Sequence, residues 1–243
     1  METDDRIELS IILPVHNEEE NIREVLSEWA AEMDRLAIRH EMRVYDDGST
    51  DDTGQRLEGW ANRPAGIVLI SQSNRGHGPT ILRGYGEARG EWIFQVDSDG
   101  EMTPAGFEAL WTRRQDFDLL LGVREQSHDS WARRSVSMIA GRATRALFGA
   151  GVRDVNTPYR LVRKSAVQRL RPFIPQDTFA TNVAMSGLAA MLGLRIFERP
   201  VVVERKATGS PALGGLRLWR TASRAFGETA RIAWRARSQR RER

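Results

Sequence analysis

Through its first half the chain alternates short apolar runs with longer stretches in which apolar residues recur every three or four positions. Runs such as LSIILPV and VLIS suit strands buried in a sheet, whereas a stretch such as IREVLSEWAAEM suits a helix that buries one face. This rhythm predicts strands near 8–14, 41–46, 66–71, 91–97 and 117–122, and helices over 18–38, 52–61, 79–89 and 104–115. Strands that alternate with helices pair in parallel beneath them, so the fold class expected is α/β with a mostly parallel central sheet. Three acids, Glu18, Glu19 and Glu20, open the first helix and suit the positive end of its dipole. Asp51 or Thr50 caps the second helix, and Thr103–Pro104 supplies a cap and a first-turn proline for the fourth.

Beyond residue 130 the rhythm loosens. A long helix is expected over 131–148, then an irregular turn, a short strand at 158–163, a helix at 179–192 and a strand at 195–204. The stretch RKATGSPALGG at 205–215 is rich in small, turn-forming residues and reads as a loop. No internal repeat is visible. One domain is expected over residues 1–212, followed by a basic amphipathic helix or tail over 213–243.

Composition narrows the picture at three points. The absence of cysteine removes disulfides and thiolate metal ligands and suits a reducing compartment. The opening METDDRIELS is acidic and lacks a positive segment followed by an apolar run, so no secretory signal is expected, and no stretch of eighteen apolar residues suggests a membrane span. Charge is segregated: residues 213–243 hold nine arginines against Glu228 and Glu242, so a mildly acidic body carries a basic end.

Candidate chemistry gathers at strand ends. In an open parallel sheet, ligands bind beyond the carboxyl ends of the strands, and three polar clusters fall there. They are Pro14-Val-His-Asn-Glu18, Asp46-Asp-Gly-Ser-Thr-Asp51 and Asp97-Ser-Asp-Gly-Glu101. Each alone could be a capped turn or a row of solvated acids; three on one edge can share a crevice. A helix–loop–helix calcium site is excluded for DSDGE, because that loop needs a glycine sixth, a glutamate twelfth and a helix before it, where this chain has a strand. A few carboxylates holding Mg2+ or Mn2+, with substrate oxygens and water completing the shell, fit better.

These residues carry a resemblance. IILPVHNEEENI (11–22), VYDDGSTDDT (44–53), NRGHGPTILRGYGEARGEWIFQVDSDGEM (74–102) and DVNTPYRLVRK (154–164) resemble, in this order, the family 2 glycosyltransferases of the GT-A fold. Within them the likeness is to polyprenyl-phosphate sugar transferases of the dolichyl-phosphate mannose synthase kind, and it covers roughly residues 8–205. The resemblance implies a nucleotide-diphosphate sugar donor bound by Pro14, Val15, Asn17, Glu18, Ser49, and Asp46 or Asp47, the last two facing base or ribose. Gly76, His77 and Gly78 match a glycine-rich turn that brings backbone amides to the donor. Asp97 and Asp99 match the D-x-D element. Asp99 and Glu101 are then the metal ligands, and Asp97 orients metal or sugar, so that the carboxylates support a diphosphate leaving group through the ion. His16 is expected to pack structurally or to touch the nucleotide.

On the acceptor side, relatives that use alcohols place a Glu-Asp pair at the start of the helix that here reads Phe179-Ala-Thr-Asn-Val-Ala184. No acid stands there, although Asp177 lies nearby and is the candidate base. A phosphate acceptor is already an anion and needs no base. Arg124, Arg133, Ser137 and Arg160 resemble the grip of the polyprenyl-phosphate enzymes on the acceptor phosphate, which suits guanidinium forks. The chain also departs from that pattern. Lys206, the candidate donor-binding residue of the loop, stands where relatives have an arginine that contacts the donor diphosphate, Gly209-Ser-Pro follows with no lysine, and Pro158-Tyr-Arg160 replaces a Gly-Phe-Arg.

The basic end places Leu218, Trp219, Ala222, Phe226, Ala230, Ala233 and Trp234 at roughly helical spacing among arginines. It suits either an anionic membrane interface or packing on protein, and a homodimer is among the partners weighed. Nucleic acid is not expected. The expectation is therefore a metal-dependent inverting hexosyltransferase acting on a polyprenyl phosphate, in the cytoplasm or on the inner face of the cell membrane. A glycan or small-molecule hydroxyl is the alternative acceptor. A non-catalytic, membrane-associated binding protein of the same fold is the alternative of another class, and a sugar nucleotidyltransferase is opposed by the lack of a glycine- and arginine-rich loop after the first strand.

Overall fold

A computed structural model describes residues 6–60, 66–124, 142, 144–149, 152–203 and 215–241. Its seven strands form one mixed sheet in the order β3-β2-β1-β4-β6-β5-β7. They are β1 (Leu9–Val15), β2 (His40–Asp46), β3 (Ile67–Ser71), β4 (Trp92–Gln95), β5 (Leu119–Arg124), β6 (Arg160–Arg163) and β7 (Ile196–Val201). β6 runs antiparallel to both of its neighbours and every other pairing is parallel, which is the mostly parallel α/β sheet expected. Among the described residues the helices include α1 (Ile22–Arg35), α2 (Thr53–Glu58), α3 (His77–Glu87), α4 (Phe107–Arg113), α5 (Lys164–Leu170), α6 (Thr181–Met191) and α7 (Gly215–Arg241), and residues 144–148 are helical as well.

Alternation along β1 divides the core. Ile12 faces one layer with Tyr45, Ile81, Tyr85 and Leu188, while Leu9, Ile11, Leu13 and Val15 face the other with Trp29, Phe94 and Phe107. The buried stripe of α1, Ile22, Val25, Leu26, Trp29 and Met33, follows the helical period and lies on that second layer. There the Phe94 ring sits 5.1 Å from Trp29, 4.9 Å from Phe107 and 4.8 Å from Tyr159, the last two edge to face. Tyr159 donates its hydroxyl to the Thr103 carbonyl at 3.2 Å, which ties the loop carrying the acidic motif to this packed cluster.

Several boundaries differ from the expectation. α1 begins at Ile22, so Glu18, Glu19 and Glu20 precede it. The Glu18 and Glu19 amides instead donate to Thr53 Oγ1 (2.8 Å) and Asp51 (3.4 Å), bonds to a distant loop that hold these residues in a turn. The N-cap of α2 is Asp52, without a side-chain cap, so neither Asp51 nor Thr50 caps it as expected; Asp51, one residue earlier, accepts from the Thr53 amide at 3.0 Å. Thr103 makes no side-chain cap, and Pro104–Gly106 forms a 3-10 turn ahead of α4. α5 was not foreseen. Most of the expected helix at 131–148, and the loop at 205–215 up to residue 214, lie outside the described residues. Among the described residues no helix is long and apolar enough to cross a membrane.

Candidate active site

Chain order reverses between β1 and β4, and a cleft of about 250 Å3 opens beyond the carboxyl ends of β1, β2 and β4 at that point. Pro14, Val15, Glu18, Asp47, Gly76, His77, Asp97 and Asp99 line it, all of them singled out in the sequence, together with His16, Asn74 and Ser98. Ser98 donates to the Pro14 carbonyl at 2.8 Å and so fastens the loop after β4 to that after β1.

The two adjacent aspartates at the end of β2 point to different places, as successive strand residues must. Asp47 is buried in the cleft wall and its carboxylate is fully engaged. It accepts from Gln72 Nε2 (2.7 Å) and from the amides of Arg75 (2.9 Å) and Gly76 (2.8 Å). Burial opposes its ionisation, but these donors outweigh burial and lower its pKa. Asp47 thus holds the glycine-rich turn in shape, and Gly76 adopts φ +89°, a conformation that favours glycine. Asp46 accepts from the Ser49 amide at 2.9 Å and borders a separate depression with Gly54, Leu57 and Leu69. Asn17, also at positive φ, and Ser49 stitch the first two loops together: the Asn17 amide donates to Ser49 Oγ (3.0 Å), and Asn17 Oδ1 accepts from the Thr50 amide (2.8 Å).

Carboxylates crowd the other wall. His77, at the start of α3, donates through Nε2 to Asp97 at 2.9 Å. Burial disfavours the imidazolium, but the charges of Asp97, Asp99 and Asp47 prevail and raise its pKa. Asp99 accepts from the Glu101 amide at 2.9 Å, yet burial, followed by repulsion from Asp97, Glu101 and Glu18, pushes its carboxyl up to about 6. Burial and the charges of Asp51, Asp97 and Glu101 likewise raise Glu18. A cluster of acids that mutually disfavour ionisation is short of positive charge, and hard oxygen donors suit a magnesium- or manganese-like ion. Among the described residues no three acidic or imidazole groups stand preassembled around one point. Such an ion usually relies on water and substrate phosphates for much of its shell, so the donor set fits it in chemistry.

The acceptor-side residues fall elsewhere. Arg124 ends β5 and forks onto Asp154, with Nε at 2.8 Å and Nη2 at 3.3 Å. Arg160 is fully buried and donates to the carbonyls of Thr157 (Nη2, 2.7 Å) and Asn182 (Nη1, 3.2 Å), bracing β6 against α6 without lining the cleft. Asp177 is exposed in the turn before α6. Gly78 packs so closely on that turn that a Cβ would collide with the backbone carbonyls of Thr178 and Phe179, so its smallness serves helix contact. Arg133, Ser137 and Lys206 lie outside the described residues. Gln72, Ser98 and Asp154 were not anticipated; Ser98 and Asp154 lie within motifs already quoted for their neighbours, whereas Gln72 carried no signal.

Comparison with known proteins places this geometry. The family model described as Glycosyl transferase family 2 matches residues 10–171. Undecaprenyl-phosphate 4-deoxy-4-formamido-L-arabinose transferase of Edwardsiella ictaluri (strain 93-146) is 26% identical over 213 residues, covering 86% of this chain and 64% of that protein. The protein of the same name from Pseudomonas aeruginosa (strain LESB58) is 29% identical over 179 residues, covering 72% and 53%. The chain therefore spans between about half and two thirds of the curated relatives it matches. Among solved structures, glucosyl-3-phosphoglycerate synthase of Mycobacterium tuberculosis in complex with Mn2+, uridine diphosphate and glucosyl-3-phosphoglycerate has a TM-score of 0.67 at 18% identity, covering 93% of this chain and 80% of that one. S. aureus TarS 1-349 in complex with UDP-GlcNAc has a TM-score of 0.61 at 20% identity, covering 88% and 64%. At such identities the likeness is one of fold.

Proposed function

The chain belongs to glycosyl transferase family 2, and from that premise we propose that it moves a sugar from a nucleotide-diphosphate donor to a polyprenyl phosphate with inversion at the anomeric carbon. The observation that carries this reading is the crowd of mutually repelling acids, Glu18, Asp97, Asp99 and Glu101, beside a cleft at the switch point of the sheet. The names of the curated relatives support the acceptor class.

In this reading Pro14 and Val15 form the floor for the nucleotide, and the turn held by Asp47 forms the wall beside it. Asp97, fixed by His77, orients the sugar. Asp99 and Glu101 would hold a Mg2+ or Mn2+ ion, which when bound neutralises charge developing on the leaving diphosphate. The acceptor phosphate oxygen bonds to the anomeric carbon as the bond from that carbon to the diphosphate oxygen breaks, and the nucleoside diphosphate departs with the electron pair. The acceptor loses no proton in this step, in accord with a start of α6, Phe179-Ala180-Thr181, that offers no carboxylate. Arg124, aimed by Asp154, binds the acceptor phosphate. With a hydroxyl acceptor Asp177 would have to serve as base, and its exposure on the turn before α6 leaves it accessible for that.

The decisive test is thermal stability with UDP, GDP, CDP and dTDP, each with manganese or EDTA, followed by transfer to a short-chain polyprenyl phosphate. One nucleotide should raise Tm by several degrees with manganese and lose the effect with EDTA, as ligand linkage requires at concentrations about a hundredfold above Kd. No stabilisation by any nucleotide, from protein shown to be folded, would favour a non-catalytic role.

We also propose that α7 meets an anionic membrane surface, where a lipid acceptor resides. Its outward residues include Trp234 (71% exposed) and Phe226 (51% exposed) among Arg231, Arg235 and Arg237. Trp234→Glu should cut sedimentation with phosphatidylglycerol vesicles several-fold without lowering Tm. Unchanged sedimentation would refute membrane contact through this face.

A further inference from the structure

α6 has no charged residue at either end and no side-chain cap of its own. Its terminal groups are instead met by the C-terminal helix. The amides of Phe179 and Ala180, just ahead of α6, donate to Glu228 Oε1 (3.0 Å) and Oε2 (2.9 Å). At the other end, Arg240 Nη1 donates to the Met191 carbonyl at 3.0 Å. The spacing from Glu228 to Arg240 equals that from Phe179 to Met191, so α7 runs beside α6 in the same direction. Thr229, Ile232, Ala233 and Ala236 are buried along it, so packing and charge act together. An acid at the amino end and a cation at the carboxyl end both complement the dipole of α6, although both belong to another helix.

The segment Glu228 holds packs against Gly78, the residue that follows His77 of the cleft lining. Thr181 donates to the Gly78 carbonyl at 3.1 Å, and the carbonyls of Thr178 and Phe179 press on Gly78 where a Cβ would stand. Gly78 follows His77, whose ring is bonded to Asp97. Arg224 adds a second tail contact, its guanidinium 5.2 Å from the centre of the Phe179 ring. Direct contacts therefore run from the tail, through the start of α6, to the first turn of α3 and the acidic motif.

We propose that Glu228 is a positioning residue for the transfer reaction. By bracing the amides of Phe179 and Ala180 it holds the segment on which Gly78 is seated, and with it the His77 that fixes Asp97 at the donor wall, which makes the C-terminal helix part of the catalytic unit. The proposal rests on the polyprenyl-phosphate reading above for its kinetic consequence and on geometry alone for its structural one.

The test uses the full chain carrying Glu228→Ala or Glu228→Gln, with Arg240→Ala as a control that loosens the far end of α6. Hydrogen exchange at residues 178–182 should accelerate about tenfold or more in Glu228→Ala, while the segment 97–101 exchanges as in wild type. The donor KM should rise on the order of fivefold, with the acceptor KM within about twofold of wild type, since misplacing a binding wall affects the ligand it faces. Glu228→Gln, which keeps one acceptor oxygen, should fall between. Arg240→Ala should lower Tm without moving the donor KM. Unchanged exchange at 178–182 in Glu228→Ala would overturn the proposal, as would an equal rise in donor KM in Arg240→Ala, which would mark general loosening of α6. If wild type transfers no sugar to a polyprenyl phosphate, the acceptor reading falls by itself and the exchange measurement alone decides whether Glu228 braces α6. Should Glu228→Ala not fold, the same two measurements on Glu228→Gln decide, with smaller shifts of the same sign.

Discussion

Asp99→Asn is expected to lower the rate of sugar transfer by a factor on the order of 10^2–10^3 or more, the scale on which single groups that stabilise developing charge act, and to leave the protein at least as stable as wild type. The two halves of this result share one cause. Burial and three neighbouring acids push the Asp99 carboxyl up to about 6, so at neutral pH its ionised form strains the ligand-free protein. Asparagine removes that charge, and its carbonyl oxygen can still accept the bond from the Glu101 amide that Asp99 accepts at 2.9 Å. What is lost is the negative ligand for a cation, and with it the means of supporting a leaving diphosphate. A fold that keeps an unfavourable charge in its cleft gives up stability for function. Transfer rates, Tm and the manganese-dependent shift with nucleotide, measured side by side on both proteins, check this. Wild-type turnover by the variant would remove Asp99 from the mechanism. A large drop in its Tm would show instead that the carboxylate is structural.

The architecture was legible because its signals are local. Period-two and period-3.6 patterns over five to fourteen residues mark strands and helices wherever one face is buried, and the acids stand at the ends of strands that the sheet makes neighbours. What escaped reading depends on partners far along the chain. Glu18–Glu20 look like a helix start by propensity, but bonds to Thr53 and Asp51 hold Glu18 and Glu19 in a turn. Asp47 reads as a free acceptor for a nucleotide until Gln72 and the amides of Arg75 and Gly76 are seen to occupy both its oxygens. Arg160 reads as a phosphate ligand by resemblance to the polyprenyl-phosphate enzymes, yet carbonyls of Thr157 and Asn182 satisfy it inside the protein, where arginine is seldom fully buried. The tail reads as an appendage because nothing in the uncharged sequence of α6 announces that its end charges come from Glu228 and Arg240.

Asp47→Asn should destabilise the protein by about 2–4 kcal/mol at pH 7, since several charge-assisted hydrogen bonds from one buried carboxylate are lost or weakened together. The substitution is nearly isosteric, so the cost isolates charge and hydrogen bonding from packing. An amide can accept on one side only; its NH2 would face either the Gly76 amide or the donors Gln72 and Arg75, leaving a buried donor opposed to a donor. The turn at 74–78 then loosens, and with it His77 and the donor wall, so nucleotide affinity should fall on the order of tenfold, as for other groups that orient binding residues. The pH dependence has a definite sign. The folded-state pKa of Asp47 lies below its ordinary value, so its stabilisation is fully present above the unfolded value of about 3.9 and is lost as pH falls below that toward the folded value. Asparagine cannot titrate, and the stability gap between the two proteins should therefore stay constant from pH 8 to about 5 and narrow below about 4. Urea unfolding of both across this range measures the gap. One that did not narrow in acid would mean that the Asp47 charge contributes little to the fold. One near zero at pH 7 would mean that the turn is held by its backbone alone, and the donor wall would then need another anchor.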